Sequence, residues 1–158
     1  MKLLFIRHSK TIKEEKWASD DALRPLSKKG VKVATDFFKG ISRIYRDIDF
    51  IISDELTRSI QSARLLSEYV DSEYICDARL NKDASFEDFV RLLDEIKIKK
   101  DDIASIAFVA DEQIIRLVSK LVSDGSINLK LKKPSLVEIS IDNNSAKLVT
   151  LLTPVTLK

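Results

Sequence analysis

Several residue types are scarce in this 158-residue chain, and each scarcity excludes a class of protein. A single cysteine, Cys76, excludes an internal disulfide and fits a reducing cytoplasm, where we expect the protein to reside. Cys76 lies in a strand-like segment, so we expect its thiol to be buried and unreactive. Glycine and proline occur three times each and form no linker, which favours a single domain over residues 1–158.

Long apolar runs are also missing, and none approaches the ~20 residues that a membrane span needs. The short apolar stretch at residues 2–6 is followed by charged residues and is interpreted as a first strand, not as a secretory signal. The net charge of +2 comes from 27 basic and 25 acidic residues and does not indicate a nucleic-acid partner. Short lysine clusters at 28–29, 97–100 and 130–133 are interpreted as solvated surface. We therefore expect neither a nucleic-acid nor a membrane partner, and the oligomeric state stays open.

The apolar residues that are present alternate between strand-like and helix-like patterns. Continuous apolar runs predict strands at 3–7, 49–53, 73–77 and 103–110, and helical spacing predicts helices at 28–45, 56–70, 85–96 and 112–123. Two β-rich stretches, 136–141 and 146–152, predict a hairpin around an Asp142-Asn143-Asn144 turn. Ser27 is the expected N-cap of the first helix, and Ser85 with Asp88 forms a capping box. The inward face of the first helix is expected to comprise Val31, Ala34, Phe37, Phe38, Ile41 and Ile44.

This alternation predicts an α/β fold, a three-layer α/β/α arrangement with a mostly parallel central sheet. Ligands of such sheets bind beyond the carboxyl ends of the strands. Three segments follow predicted strands and should meet there: Arg7-His8, residues 53–58, and Ala110-Asp111.

Histidine is as scarce as cysteine, and the one histidine, His8, directly follows Arg7 at the end of the first strand. An imidazole beside a guanidinium suits the binding of a phosphate and attack on its phosphorus. Arg58 opens the helix after the second strand, and Arg24 lies in the loop before the first helix. Three arginines around one imidazole predict a phosphoryl site, because planar guanidinium groups match the oxygens of phosphate.

Three motifs in these segments resemble the histidine phosphatase superfamily, and most specifically its SixA-like phosphohistidine phosphatases. The strand ending in Arg-His is matched by Ile6-Arg7-His8-Ser9. The SixA-like loop is matched by Asp21-Ala22-Leu23-Arg24-Pro25-Leu26-Ser27 with Gly30, and a second arginine signature loosely by residues 53–63 around Arg58 and Gln61. The resemblance covers nearly the whole chain and implies a phosphoglycerate mutase-like fold.

The resemblance also implies roles for individual residues. His8 would be the nucleophile that carries the phosphoryl group, Arg7 and Arg58 would bind the phosphate oxygens, and Arg24 would join that pocket. Asp21 is the first candidate for the general acid, with Asp83 and Asp111 behind it. The implied reaction needs no cofactor and no metal, and the implied substrate is a phosphorylated protein or a small phosphomonoester. A mutase is disfavoured, because 158 residues leave little room for substrate-covering insertions.

One signature of the family is absent. Where the family has its second active-site histidine, after the fourth strand, this chain has Asp111. A carboxylate at ~4 Å from a phosphate charge costs on the order of 4 kcal/mol at an effective dielectric near 20. Asp111 could be protonated, could turn away to an arginine, or could serve as the base that activates water. Two functions stay open: a phosphatase with altered or reduced activity, and a degenerate protein that binds a phosphorylated ligand or partner without turnover.

Overall fold

The computed structural model describes residues 1–123, 125, 127–143 and 145–157, which form a mixed sheet with helices on both faces. The strands are β1 (Lys2–Arg7), β2 (Ile48–Ser53), β3 (Tyr74–Cys76), β4 (Ser105–Ala110), β5 (Ser135–Asp142) and β6 (Ser145–Leu152). The helices are α1 (Lys28–Ile44), α2 (Thr57–Ser67), α3 (Phe86–Lys99) and α4 (Gln113–Ser123). Short 3-10 helices span Glu14–Lys16, Asp21–Leu23 and Ala78–Leu80.

The strand order across the sheet is β3-β2-β4-β1-β5-β6. The first four strands in that order are parallel to one another, whereas β5 and β6 form an antiparallel hairpin along the β1 edge. The predicted α/β fold with a mostly parallel sheet is therefore confirmed, and so is the C-terminal hairpin. Asn143, in the hairpin turn, has a φ of 43°, a left-handed conformation that asparagine tolerates. Asn144, the last residue of the predicted turn, lies outside the described residues.

Each face of the sheet has its own apolar core, and β1 shows how the chain divides between them. Leu3 and Phe5 pack with α3 and α4 on one face, and Leu4 and Ile6 pack with α1 and α2 on the other. Alternate side chains of a strand point to opposite faces, so a strand covered by helices on both sides is apolar throughout. This is the reason for the continuous apolar runs in the sequence.

The helix N-termini agree with the sequence signals. The Ser27 hydroxyl accepts a hydrogen bond from the Gly30 N–H at 2.9 Å, and the capping box of Ser85 and Asp88 is formed at the start of α3. Two residues of the predicted inward face of α1 are exposed, Val31 by 39% and Ile44 by 51%. Both lie in the end turns of α1, whereas the buried residues Ala34, Phe37, Phe38 and Ile41 occupy its middle.

The expectation of a buried Cys76 thiol is wrong, because Cys76 is exposed. β3 has only three residues and forms the edge of the sheet, and all three of its residues are exposed. The segment does form a strand, but its side chains are exposed to solvent because the strand lies at the edge of the sheet. Among the described residues, no helix is long and apolar enough to cross a membrane.

Candidate functional site

The carboxyl ends of β1, β2 and β4 meet at one edge of the sheet. Arg7 and Ala110 are paired across β1 and β4, and the His8 N–H continues this ladder with a 3.1 Å hydrogen bond to the Ala110 carbonyl. On the other side of β4, the Asp54 N–H donates to the Val109 carbonyl at 3.0 Å. The backbone thus brings together the segments that follow these three strands, as the topology of parallel strands requires.

His8 is fully buried, and its ring is held by one defined hydrogen bond. Its Nδ1 lies 2.7 Å from the Ser9 carbonyl oxygen. A carbonyl oxygen can only accept, so Nδ1 is the nitrogen that carries the hydrogen in this contact. Nε2 therefore faces the site, where it lies 3.3 Å from Oδ1 of Asp111 without the alignment of a hydrogen bond.

The Asp111 carboxylate lies between the two arginines that were predicted to bind phosphate. Nη2 of Arg7 donates to its Oδ1 at 3.2 Å, and Nη2 of Arg58 donates to its Oδ2 at 3.5 Å. Burial opposes ionisation here, but His8 and the charges of Arg7 and Lys133 outweigh it and hold the pKa of Asp111 well below its usual value. The protein's own carboxylate is therefore a charged ligand of this cation cluster.

Some polar atoms of the same cluster have no hydrogen-bond partner. Among the described residues, the Nε atoms of Arg7 and Arg58 and the Nε2 atom of His8 are buried without a hydrogen-bond partner. Buried polar atoms are normally paired, so an unpaired atom on each of these three side chains is unusual. A tetrahedral oxyanion has more acceptor oxygens than a carboxylate, so it could accept more hydrogen bonds from the two guanidinium groups.

Asp21 and Arg24 lie beside this cluster rather than inside it. Arg58 donates to the Asp21 carbonyl at 2.8 Å and to its Oδ2 at 3.1 Å. Arg24 donates to Oδ1 of Asp21 at 2.8 Å and, through Nη1, to Thr11 and Ile12. The hydrogen bond from Arg24, together with the hydrogen bond and charge of Arg58, lowers the pKa of the half-exposed Asp21. Arg24 thus contacts the loop and Asp21, and the structure shows no hydrogen bond or ion pair from Arg24 to His8 or Asp111.

Side chains of the matched motifs hold these loops in place. The Ser9 hydroxyl donates to the Gly30 carbonyl at 2.7 Å, and the Ser9 N–H donates to the Ser62 hydroxyl at 3.2 Å. The Leu26 N–H donates to Oε1 of Gln61 at 2.8 Å, which joins the Asp21–Leu26 loop to α2. These contacts link β1, the loop and α2, and they explain in structural terms why the motif residues occur together.

Asp54 and Glu55 are acidic and are not expected to bind phosphate. Both form hydrogen bonds that hold the chain at the start of α2. Asp54 is fully buried and accepts hydrogen bonds from the Leu56 N–H at 3.1 Å and from Nε2 of Gln113 at 2.8 Å. Burial raises the pKa of Asp54 despite these bonds. Glu55 exchanges two hydrogen bonds with Asn81. Aspartate commonly accepts a hydrogen bond from the N–H two residues further on, and its place just before the predicted helix at 56–70 could have indicated this role of Asp54.

A cavity of about 720 Å³ opens beside the arginine and aspartate cluster. Asp83, the second candidate for the general acid, lies on its wall. Its described lining consists of Asp21, Ala22, Asp54, Glu55, Leu56, Arg58, Asn81, Lys82, Asp83 and Asp111. No group of three or more His, Cys, Asp or Glu residues in the described part of the chain is arranged to hold a metal ion.

Lys133 is the residue near the site that the sequence interpretation missed. It was assigned to a solvated cluster, but it is half-buried in front of β5, near enough for its charge to act on Asp111. Burial and the neighbouring charges of Arg7, Arg24 and Arg58 lower its pKa. No local pattern marks this position, because it depends on how β5 pairs with β1.

This chain resembles known proteins in its structure. No protein-family model and no curated protein matches the sequence. A structure of the protein histidine phosphatase SixA complexed with tungstate is similar over 100% of both chains, with a TM-score of 0.86 and 15% identity. A putative phosphohistidine phosphatase SixA from Agrobacterium tumefaciens is similar over 97% of both chains, with a TM-score of 0.74 and 17% identity.

Phosphatases and mutases outside the SixA group are similar as well. A phosphoglycerate mutase from Bacillus anthracis covers 94% of this chain and 91% of its own length, with a TM-score of 0.73 and 18% identity. Identities this low establish the fold and not the activity. The chain therefore has the fold of the SixA phosphatases and phosphoglycerate mutase, as its three sequence motifs predict.

Proposed function

We propose that this protein is a phosphatase in which His8 takes the phosphoryl group of a phosphohistidine protein or a small phosphomonoester. One observation carries the proposal: Arg7, Arg58 and Nε2 of His8 all converge on a single bound anion, the Asp111 carboxylate. Structures with this fold have been solved with tungstate, with VO3 and with inorganic phosphate, which supports an oxyanion as the ligand.

Binding begins with an exchange of anions. The phosphoryl group of the substrate takes the place of the Asp111 carboxylate between Arg7 and Arg58, and the Asp111 side chain moves out of the cluster. The two guanidinium groups then bind the equatorial oxygens and stabilise the charge that develops in the transition state. The exchange is the step at which this site differs from one with a second histidine, because a substrate has to compete with an internal carboxylate.

Phosphoryl transfer follows from the orientation of the imidazole. With Nδ1 bonded to the Ser9 carbonyl, the lone pair of Nε2 attacks phosphorus, and the bond between phosphorus and the leaving oxygen breaks. The leaving oxygen takes a proton, for which Asp21 is our first candidate donor, at the wall of the larger cavity. Because its two arginine partners favour the ionised form, Asp21 can act as an acid only after the substrate phosphate has drawn Arg58 away from it.

Release of phosphate requires water. A water molecule attacks the phosphorus of phosphorylated His8, the bond from nitrogen to phosphorus breaks, and a base takes the proton of the water. We assign that role to the Asp111 carboxylate, which becomes a stronger base once the phosphoryl group has displaced it from Arg7 and Arg58. Of the states considered for Asp111, a protonated hydrogen-bond donor is disfavoured by its low pKa. Every step of this scheme uses side chains of the chain and water, with no cofactor.

The contacts of the Asp111 carboxylate also support a second function, which is binding of a phosphorylated ligand or partner without turnover. If Asp111 returns to the cluster faster than substrate reacts, the protein would bind a phosphorylated ligand or partner weakly and not turn it over. The ion pairs to both Arg7 and Arg58 favour this reading, because they neutralise charges that a phosphate needs.

The single histidine allows a decisive test. After rapid mixing with a 32P-labelled aryl phosphate and an alkaline quench, we expect an acid-labile label on the wild-type chain, as phosphorylation of the single histidine, His8, would give. His8→Ala should lose both the label and aryl phosphate turnover. Asp111→His should increase turnover by about tenfold or more, since it removes a negative charge worth on the order of 1 kcal/mol or more in the transition state and supplies an imidazole that can take over as the base.

The two functions predict different outcomes. Phosphate binding without label or turnover in the wild type and in Asp111→His would favour the binding protein. Unchanged aryl phosphate turnover in His8→Ala would contradict the nucleophile assignment and with it the phosphatase proposed here.

A further inference from the structure

Asp54 and Gln113 form a buried hydrogen bond next to the candidate site. Asp54 directly follows β2, and Gln113 is the first residue of α4. Nε2 of Gln113 donates to Oδ2 of Asp54 at 2.8 Å, and the two residues are exposed by only 5% and 0%. A hydrogen bond to a carboxylate in such surroundings is strong, and removal of either partner leaves the other unpaired. We refer to this contact as the Asp54–Gln113 link.

The link joins the two helix starts that carry Arg58 and Asp111. Asp54 also accepts a hydrogen bond from the Leu56 N–H at 3.1 Å, through its Oδ1. Leu56 is the N-cap of α2 and provides no side-chain cap, so Asp54 fixes the chain just before Arg58, the second residue of that helix. Gln113 lies two residues after Asp111, whose carbonyl accepts a backbone hydrogen bond from the first turn of α4.

The side-chain amide of Gln113 also contacts a third segment. Its Nε2 donates to the Leu80 carbonyl at 3.0 Å, at the end of the 3-10 helix Ala78–Leu80. Both acceptors need a donor, which fixes the orientation of the amide and leaves its Oε1 buried without a partner among the described residues. The three segments joined in this way all contribute walls to the cavity of about 720 Å³, through Arg58, Asp111 and residues 81–83.

The Asp54–Gln113 link does not depend on the ion pair that a substrate has to break. In the part of the chain that the structure describes, two side-chain hydrogen bonds join residues 54–58 to residues 111–113. One is the link, and the other is the 3.5 Å contact from Arg58 to Asp111. A phosphate that takes the place of the Asp111 carboxylate breaks the second of these. The link then remains as the contact that holds Arg58 opposite the start of α4.

We infer that Asp54 and Gln113 are positioning residues, whose hydrogen bond holds Arg58 where an incoming phosphate can displace the Asp111 carboxylate from it. The inference rests on the proposed function and adds two residues to it. Both oxygens of Asp54 and the amide nitrogen of Gln113 are engaged within the protein, so these groups act through Arg58 and do not touch the phosphate. Exchange of one anion for another requires that the arginine stay in place while the Asp111 side chain moves.

Two substitutions break the link from opposite sides. Asp54→Asn keeps an oxygen for the Leu56 N–H but turns an amide donor toward the amide of Gln113, and Gln113→Leu removes the donor at similar size. We expect each variant to bind inorganic phosphate about tenfold more weakly by isothermal titration calorimetry, a difference of about 1.4 kcal/mol. The double variant should bind no more weakly than the weaker single variant, because both changes remove the same contact.

Tyr45→Phe is the matched control, because it removes a hydrogen bond to another buried carboxylate. The Tyr45 hydroxyl donates to Glu138 at 2.6 Å, and Glu138 pairs with Leu4, three residues before Arg7 on β1. We expect its midpoint of urea denaturation to fall about as far as that of Gln113→Leu, with phosphate affinity within about twofold of wild type. An equal loss of phosphate affinity in Tyr45→Phe would mean that affinity follows overall stability, and would overturn the inference.

The same titrations are repeated with Asp111→Asn added to each variant, so that the internal carboxylate no longer competes with phosphate. Phosphate affinities of Asp54→Asn and Gln113→Leu equal to wild type, or additive losses in the double variant, would overturn the positioning role and leave the phosphoryl site intact. Failure of phosphate to bind to the wild type and to Asp111→Asn alone would overturn the phosphoryl site and the positioning role together.

Discussion

In the mechanism we propose, the charged carboxylate of Asp111 occupies the position that the phosphoryl group of the substrate takes. Its contacts with Arg7, His8 and Arg58 are those expected of a bound anion, and its pKa is lowered accordingly. A single residue therefore both preserves the cation cluster in the folded state and competes with any substrate for it. Under the proposed function, Asp111 supplies the counter-charge of Arg7 and Arg58 when no substrate is bound.

Asp21 is the residue for which the proposed chemistry makes a distinctive kinetic prediction. We expect Asp21→Asn to leave turnover of an aryl phosphate with a good leaving group within about threefold of wild type, because that oxygen needs no proton. Turnover of an alkyl phosphate should fall by ~10² or more, the usual contribution of a general acid. Steady-state rates on the two substrates measure this difference.

Asp83→Asn serves as the control, because Asp83 lies on the wall of the same cavity. The same loss for both leaving groups in Asp21→Asn would mean that Asp21 acts by positioning Arg58 rather than by donating a proton. Selective loss of alkyl phosphate turnover in Asp83→Asn would transfer the role of general acid to that residue.

At the scale of elements, the site depends on how closely α1 approaches the loop after β1. Gly30 lies where the chain has no room for a side chain: a Cβ atom there would be 1.9 Å from the Lys10 carbonyl oxygen. The Gly30 carbonyl also accepts the hydroxyl of Ser9, the neighbour of His8. The glycine of the SixA-like loop motif is thus required by packing between two backbone segments.

Gly30→Ala should therefore destabilise the fold by about 1–3 kcal/mol, as expected of overpacking against backbone that cannot move freely. Phosphate affinity should fall as well, since the displaced Lys10 segment carries Ser9 and His8 with it. Chemical denaturation and titration with inorganic phosphate measure the two effects.

Gly40→Ala is a matched control in the same helix. Its Cβ would meet the side chain of Leu157, 3.0 Å away, and not backbone. Alanine has a higher helix propensity than glycine, so this variant should be neutral or stabilised by up to ~1 kcal/mol, with unchanged phosphate affinity. If both variants behave alike, the close approach at Gly30 is not what holds the loop.

At the scale of the whole molecule, the concentration of cations at one edge of the sheet makes stability depend on pH. The pKa of Asp111 is lower in the folded state than the unfolded value of about 3.9. A lowered pKa means that the carboxylate stabilises the fold above the unfolded pKa, and that this contribution is lost as the pH falls below about 4.

We therefore expect Asp111→Asn to lower the free energy of unfolding by about 2 kcal/mol at pH 7, because Arg7 and Arg58 lose their counter-charge. The difference from wild type should shrink as the pH is lowered from about 5 to about 2, where the wild-type carboxylate is protonated in the unfolded state. Urea denaturation followed by circular dichroism at several pH values measures it. Asp142→Asn, at an exposed position, is the control; a difference at Asp111 that is constant with pH would contradict the assigned ion pairs.

Local sequence patterns predicted the secondary structure of this protein and the edge of the sheet at which its candidate site lies. Apolar runs and helical spacing predicted the strands and helices. Residues that are buried on a sheet or on one face of a helix recur at a characteristic spacing along the sequence. The order of parallel strands then placed Arg7-His8, Arg58 and Asp111 at one edge, since parallel strands share their carboxyl ends. The capping contacts of Ser27 and Ser85 at helix starts were equally local, as caps involve residues three positions apart.

What depended on distant parts of the chain was decided only by the tertiary structure. The sequence could not show that Asp111 would be a ligand of Arg7 and Arg58, because their separation in the chain says nothing of side-chain distance. It could not show that Cys76 would lie on an edge strand, or that Lys133 would come to the site through the pairing of β5 with β1. Interactions within one element follow from residue order, whereas contacts between elements follow from how those elements pack.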